Sequence, residues 1–173
     1  MLLHACPNLQ TFSMEWGDGN VGPSDIDFRA LGDVLRSVRP RNLESLAFDS
    51  SEAEIDVEQG PIGHLKDLTG LKHLTVDETC LLGAENHGFF VNLMSLTNVL
   101  PDGLKMLKVT GMQGSTRMQL DPLIVGLVKD ERFKALETIT LETTADSTMT
   151  DTSCGWSEER VNEGMIVLTK NQM

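Results

Sequence analysis

The chain has 173 residues, of which 40% are hydrophobic and 23% are charged, so it can bury one substantial core and is not disordered. Its formal net charge of −12 excludes the basic surface that nucleic-acid phosphates require. No apolar run approaches the ~18 residues of a membrane span. The three widely spaced cysteines, Cys6, Cys80 and Cys154, are typical of a reducing compartment. We therefore expect a cytoplasmic or nuclear protein.

An apolar pattern at offsets 0, +3 and +5 returns five times along the chain. It starts at residues 9, 43, 71, 104 and 136, which are steps of 34, 28, 33 and 32 residues. Its members are Leu9–Phe12–Met14, Leu43–Leu46–Phe48, Leu71–Leu74–Val76, Leu104–Leu107–Val109 and Leu136–Ile139–Leu141. A further run, GMIVLT at 164–169, has Lys170 where the third apolar residue would fall. The sequence thus predicts five repeats and a doubtful sixth.

Each pattern predicts a short strand with one buried face. The residues at +3 and +5 share that face, and the leading leucine packs beneath the turn into the strand. The residues at +2 and +4 point the other way and are mostly polar. The +2 row contains Thr11, Ser45, His73, Met106 and Thr138, and the +4 row contains Ser13, Ala47, Thr75, Lys108 and Thr140. The second face is therefore expected to meet solvent.

The segments between the strands have helical periodicity. Residues 26–38 predict a helix, with Ser24 or Asp25 as its N-cap and Pro40 just beyond its end. Residues 89–100 and 121–133 predict two more, and Pro122 suits a first helical turn. Residues 60–68 predict only a turn or two.

Strands that alternate with helices at a period near 30 residues predict a parallel sheet, for which two folds compete. A doubly wound sheet buries both faces, so its strands are nearly continuous apolar runs. The polar +2 and +4 rows favour a solenoid, in which one face of the sheet is exposed to solvent. We expect one α/β domain over 1–173, a horseshoe solenoid with parallel strands on the concave face and helices or turns on the convex face.

The pattern L-x-x-L-x-[LVF] at this spacing resembles the leucine-rich repeat. The phrases LLHACPNLQTF, LKDLTGLKHLTVD and VLPDGLKMLKV are similar to the irregular repeats of fungal F-box and leucine-rich-repeat proteins, and the resemblance covers roughly residues 2 to 142. It implies protein–protein recognition, in a parent protein that is the substrate receptor of a ubiquitin ligase. The F-box that docks to the ligase adaptor is absent from this sequence, so we expect a fragment or a shortened product of a longer solenoid.

Two alternatives to a ligase receptor remain, a repeat scaffold or regulator unrelated to ubiquitin ligases and a small α/β enzyme. The sequence contains no G-x-S-x-G, no H-E-x-x-H and no phosphate-binding glycine loop with a lysine. The glycine-rich segment 16–27 lacks the Gly and Glu that a calcium loop requires. We therefore expect no enzymatic activity and no cofactor.

The stretch LTGLKHLTVDETCLLG at 68–83 raises the question of a metal site. His73 and Asp77 share a strand face, but four residues of strand separate them by roughly 13 Å. A metal ion binds its ligands at about 2.0–2.3 Å, so one ion cannot reach both. Cys80 follows in a loop without a second cysteine nearby. We expect no metal here, and an outward-facing His73, Thr75 and Asp77.

The row at offset +6 is mostly acidic and consists of Glu15, Asp49, Asp77, Thr110 and Glu142. Because neighbouring strands lie about 4.8 Å apart, this row predicts a ladder of like charges along one rim of the concave face. Such a ladder would suit a partner with basic segments. The alternative is that residues at strand ends are simply polar. The predicted contact residues are Glu15, Asp49, His73, Thr75, Asp77, Lys108, Thr140 and Glu142.

A Ser/Thr-rich polar loop is predicted over 143–157. It is either a phosphorylatable or partner-contacting insertion or, as we favour, a mobile loop. Trp156 would be exposed there as a contact residue, or would pack against the last repeat.

Overall fold

A computed structural model describes residues 6, 8–15, 28–38, 40–49, 61–82, 95–112, 114–143, 155–162 and 164–171. These residues form a mixed α/β fold with a seven-stranded open sheet and few helices. The strands are β1 Thr11–Glu15, β2 Ser45–Asp49, β3 His73–Asp77, β4 Met106–Met112, β5 Thr138–Thr143, β6 Trp156–Asn162 and β7 Met165–Lys170. The helices are α1 Phe28–Val38, α2 Glu78–Leu82, α3 Leu96–Val99 and α4 Gly114–Lys129, with a 3₁₀ helix at Glu131–Phe133.

The first five strands are parallel and are neighbours in chain order. Their register is the alignment that the repeat predicts. The rung at offset +2 runs across the sheet through Thr11, Ser45, His73, Met106 and Thr138. The +3, +4 and +5 positions are aligned in the same way, so these four rows of the sequence pattern are rows of the sheet.

The backbone geometry also repeats. In all five segments the N–H of the leading leucine donates to the carbonyl oxygen three residues earlier, over 2.9–3.2 Å: Leu9 to Cys6, Leu43 to Pro40, Leu71 to Leu68, Leu104 to Pro101 and Leu136 to Phe133. The carbonyl at offset +1 accepts two N–H groups from the next segment. Those carbonyls belong to Gln10, Glu44, Lys72 and Lys105. The five segments are therefore equivalent in structure as well as in sequence.

The core lies on the side of the sheet that carries offsets +3 and +5. From the second repeat to the fifth, the leading leucine and both strand residues are 0–1% exposed. Each such apolar side chain contributes about 1.5–3 kcal/mol relative to an exposed one. Phe28 and Leu35 of α1, Cys80 of α2, and Ile124 and Leu127 of α4 join the same core.

The run at 164–169 is not a sixth parallel repeat. It forms β7, which is antiparallel to β5 and to β6, so that the sheet order is β1-β2-β3-β4-β5-β7-β6. The physical reason is the connection, because β6 ends at Asn162 and β7 begins at Met165. A turn this short joins antiparallel strands, whereas parallel strands need a crossover of about a dozen residues.

The predicted polar loop over 143–157 is shorter at both ends than its sequence indicates. Thr143 still belongs to β5, and Trp156 begins β6 and is only 6% exposed. Trp156 therefore packs against the core, as the second of the two interpretations expected. Residues 144–154 lie outside the described residues.

Two of the helices predicted from the periodicity agree with the structure to different degrees. Helix α1 covers Phe28–Val38, within the predicted segment. Helix α4 begins at Gly114, so Pro122 lies inside the helix and not in its first turn. The residues before Pro122, GSTRMQLD, carry few apolar side chains and gave the pattern no signal. Of the segment 89–100 only Leu96–Val99 is a described helix, and residues 16–27 and 83–94 lie outside the described part.

The described part of residues 60–68 contains turns and no helix. A search of the described residues found no helix long and apolar enough to cross a membrane.

Candidate functional site

The face of the sheet opposite the core is the candidate site, and we call it the open face. It is made by the +2 and +4 residues of β1 to β5, with Glu15 and Glu142 from offset +6, whereas Asp77 and Thr110 at that offset are buried. Thr11, Ser13, Glu15 and His73 are exposed, and Met106 is 41% exposed. Ser45, Ala47, Thr75, Lys108, Thr138, Thr140 and Glu142 are half-buried.

The antiparallel strands extend the open face. Thr169 continues the +2 row beside Thr138, and Val167 continues the +4 row beside Thr140. Ser157 and Glu159 of β6 lie next to them at the far edge. The open face therefore spans all seven strands and mixes hydroxyl groups, charges and a few apolar side chains.

One corner of the open face keeps the predicted acidic pair. Glu15 and Asp49 occupy the same register position on β1 and β2, where strands lie about 4.8 Å apart. In the described residues no ion pair involves Glu15, which is exposed. This corner therefore presents the exposed carboxylate of Glu15 beside a second acidic position of the sheet.

Asp77 is not an outward-facing member of the predicted ladder. It is 4% exposed, and its carboxylate lies against Gly111 of β4. Gly111 has a φ of 73°, and the register between β4 and β5 shifts between Val109 and Met112. The irregular end of β4 is the reason that the strand-end acid is enclosed, which strand alternation alone does not predict.

Glu142 departs from the predicted ladder in a different way. Its carboxylate forms an ion pair with Lys108 over 2.6 Å, and both side chains are about one-third exposed. The shift after Val109 also takes Glu142 out of the row through Thr110. Exposed pairs of this kind contribute up to about 1 kcal/mol. The repeat pattern does not predict this pair, because Lys108 and Glu142 belong to different rows of neighbouring strands.

A second charged row, at offset +1, was not predicted. Glu44 pairs with Lys72 at 2.8 Å, and Lys105 pairs with Glu137 at 3.4 Å, across adjacent strands. The hydrogen bond and charge of Lys72 lower the pKa of Glu44 below its usual 4.5. Each glutamate of this row is paired with a lysine of a neighbouring strand, so the charges of the row are compensated.

The residues of the possible metal stretch are not brought together. His73 is exposed on the open face, whereas Cys80 is fully buried in α2. Burial, and secondly the charge of Asp77, raises the pKa of the Cys80 thiol well above its ordinary value. A thiol held protonated is a poor nucleophile and a poor ligand. Within the described ranges, no group of three or more His, Cys, Asp or Glu residues could hold a metal ion.

A surface cleft of about 210 Å³ lies beside the 3₁₀ helix, between Val128, Phe133 and Lys170. It is smaller than the 300–1,000 Å³ or so typical of small-molecule pockets. Asp130 next to it is already bonded to Arg132, which lowers the pKa of the Asp130 carboxyl. This cleft does not compete with the open face as a binding surface.

Comparisons of this chain with protein-family models, with curated proteins and with solved structures found no match.

Proposed function

We propose that this protein is a recognition module that binds another protein on the open face of its sheet, and that its five parallel strands are the rungs of a leucine-rich-repeat solenoid. The observation that carries the proposal is the alignment of five equivalent segments with one buried and one open face. A doubly wound enzyme fold reverses its strand order at the ligand site. The five parallel strands follow chain order without such a reversal, which supports the solenoid over the enzyme.

The chemistry of the open face suits a protein ligand. Hydroxyl groups of Thr11, Ser13 and Thr75 can donate and accept hydrogen bonds. Met106, in the middle of the sheet, offers an adaptable apolar contact. Binding of this kind needs only complementary shape and charge, and no covalent step.

The acidic corner at Glu15 and Asp49 favours a partner with basic segments. An exposed carboxylate such as that of Glu15 attracts lysine and arginine and raises the rate of encounter with them. Salt screens the attraction between exposed charges, so binding of this type weakens as the salt concentration rises. The partner class proposed here is therefore a protein whose docking segment is rich in Lys or Arg.

The role in a ubiquitin ligase is proposed from the resemblance to F-box and leucine-rich-repeat proteins. In that case this module would select the substrate, and the ligase adaptor would bind through an F-box outside this sequence. A repeat scaffold without ligase function is the second candidate. The genomic sequence upstream of Met1 distinguishes the two, since only the first requires an F-box.

The test measures binding of a fluorescent Lys/Arg-rich peptide by anisotropy over a salt series. We expect Glu15→Gln to raise the dissociation constant roughly two- to fivefold, the range expected for an exposed charge pair. Glu131→Gln is the matched control, because Glu131 is exposed but lies on the 3₁₀ helix away from the open face. Met106→Arg should weaken binding further by placing bulk and positive charge in the middle of the face.

Two results would contradict the proposal. One is an affinity that does not change with salt. The other is a loss of affinity in Glu131→Gln as large as that in Glu15→Gln, because the peptide would then respond to net charge and not to this corner.

A further inference from the structure

The two ends of the sheet differ in how well their apolar residues are covered. At the β6 end, Trp156, Ile166 and Leu168 are at most 6% exposed, and the edge strand is rich in charged residues. At the β1 end, Leu9, Phe12 and Met14 are only partly buried, although their counterparts in the next four repeats are 0–1% exposed. Leu31, Val34 and Val38 of α1, in the same repeat, are partly buried as well. The β1 end is thus apolar and incompletely covered.

The outer edge of β1 carries backbone hydrogen-bonding groups that β2 does not use. In a strand, the N–H and C=O of one residue point to the same neighbour, and successive residues alternate. The carbonyl of Gln10 accepts N–H groups of Glu44 and Ser45, so Gln10, Phe12 and Met14 face β2. Thr11, Ser13 and Glu15 therefore point their backbone groups outward. In the described part of the chain, β1 has β2 as its only partner.

We propose that β1 pairs antiparallel with β1 of a second copy of this chain, about a two-fold axis at Ser13. The sequence TFSME is complementary to itself in this register. Thr11 lies opposite the partner's Glu15, Phe12 opposite the partner's Met14, and Ser13 opposite the partner's Ser13. The outward-pointing residues form the hydrogen-bonded pairs of the new ladder. Phe12 and Met14 form non-hydrogen-bonded pairs, where the Cα atoms approach to about 4.5 Å and side chains touch.

Repulsion between glutamates favours the antiparallel pairing of the two β1 strands over a parallel pairing. In the antiparallel register the two Glu15 residues are offset by four residues along the strand, roughly 13 Å. Opposite each Glu15 lies a threonine. A parallel copy of β1 in register would place Glu15 beside the partner's Glu15, next to the acidic position of Asp49. Like charges directly opposite each other destabilise a sheet.

The two-fold arrangement is closed, because both copies contribute the same edge, that of β1. The other end, at β6, carries charged side chains that discourage edge-to-edge pairing. A five-residue strand edge is a small interface, and each copy has a net charge of −12. We therefore expect a weak dimer that tightens as salt screens the repulsion. The proposed peptide binding has the opposite salt dependence, so the two can fail independently.

The first test is the mass of the full chain in solution across a concentration series, by sedimentation equilibrium. The weight-average mass should rise from 19.0 kDa toward twice that value, and should do so at lower concentration in higher salt. Ser13→Pro removes the outward N–H at the axis without taking a bond from β2, and edge strands tolerate proline. This variant should remain monomeric while keeping the circular dichroism spectrum of the parent. A parent that is monomeric throughout, or an unchanged dimer in Ser13→Pro, would overturn the proposal.

The second test determines the register between the two β1 strands and does not use a proline substitution. In a background with Cys6 and Cys154 replaced by serine, oxidised glutathione is added to Ser13→Cys and to Thr11→Cys. At the axis the two Cα atoms are about 5.5 Å apart, within the range of a disulfide. The two residues at position 11 are roughly 13 Å apart along the strand. Covalent dimer in Ser13→Cys alone is the expected result, and equal cross-linking of the two variants would exclude the register.

Discussion

Asp77 and Gly111 form a close contact between the ends of two neighbouring strands. The Asp77 carboxylate is buried, and a Cβ on Gly111 would overlap it. Gly111 also has a φ of 73°, a conformation that L side chains rarely adopt. A glycine is therefore required here for two separate reasons, backbone conformation and space.

Comparing Gly111→Ala with Gly155→Ala separates the effect of backbone conformation from the effect of limited space. Both glycines have positive φ, but a Cβ on Gly155 would meet no heavy atom within 4 Å. The backbone penalty of about 1–2 kcal/mol applies to both. Gly111→Ala should cost roughly 1–3 kcal/mol more, because the methyl group overpacks against Asp77. Urea unfolding of the two variants measures the difference, and equal losses would mean that the Asp77 contact is easily displaced.

At the scale of elements, α1 docks closely onto the segment between β2 and β3, in the next repeat. Gly32 lies against the carbonyl oxygen of Ile62. The Arg36 guanidinium donates to the same oxygen at 2.9 Å and to the carbonyl of His64 at 3.3 Å. The helix itself follows from its apolar periodicity, but the roles of Gly32 and Arg36 do not. Their partners are about 30 residues away in the chain, and the distance between them depends on how the two segments pack.

Gly32→Ala and Gly126→Ala form a matched pair of helical substitutions. Alanine is favoured over glycine in a helix by about 1 kcal/mol, and this gain applies to both positions. A Cβ on Gly126 would meet nothing within 4 Å, so Gly126→Ala should raise the free energy of unfolding.

Gly32→Ala should lower the free energy of unfolding by roughly 1–3 kcal/mol, because its Cβ collides with backbone that cannot turn away. Thermal and urea unfolding compare the two proteins with the parent. A stabilised Gly32→Ala variant would show that α1 can move away from Ile62 at little cost.

At the scale of the whole molecule, the hairpin of β6 and β7 covers the last parallel strand. Leu168 and Ile166 of β7 pair with Ile139 and Leu141 of β5, and all four are at most 1% exposed. Without the hairpin, β5 would present an unpaired edge and uncovered apolar residues. Such an edge is a template for association with other chains.

Ending the chain after Thr143 tests this covering role. We expect the shortened protein to lose soluble yield and to scatter light at concentrations where the full chain does not. The control is Val161→Ser in the full chain, which changes an exposed residue of β6 and leaves the hairpin in place. A shortened protein that stays soluble with the same unfolding temperature would contradict the expectation.

The sequence by itself determined the five parallel strands, their buried rows and their mutual register from offset +2 to offset +5. Period-2 apolar residues can be buried on only one face, and a repeat that returns in the same frame aligns that face from strand to strand. The tertiary structure alone decided the direction of β7, the enclosure of Asp77 and the pairing of Lys108 with Glu142. Each of these depends on a turn, a strand irregularity or a contact between neighbouring strands. Hydrophobic periodicity carries no information about such features, because it records which side chains are buried and not what lies beside them.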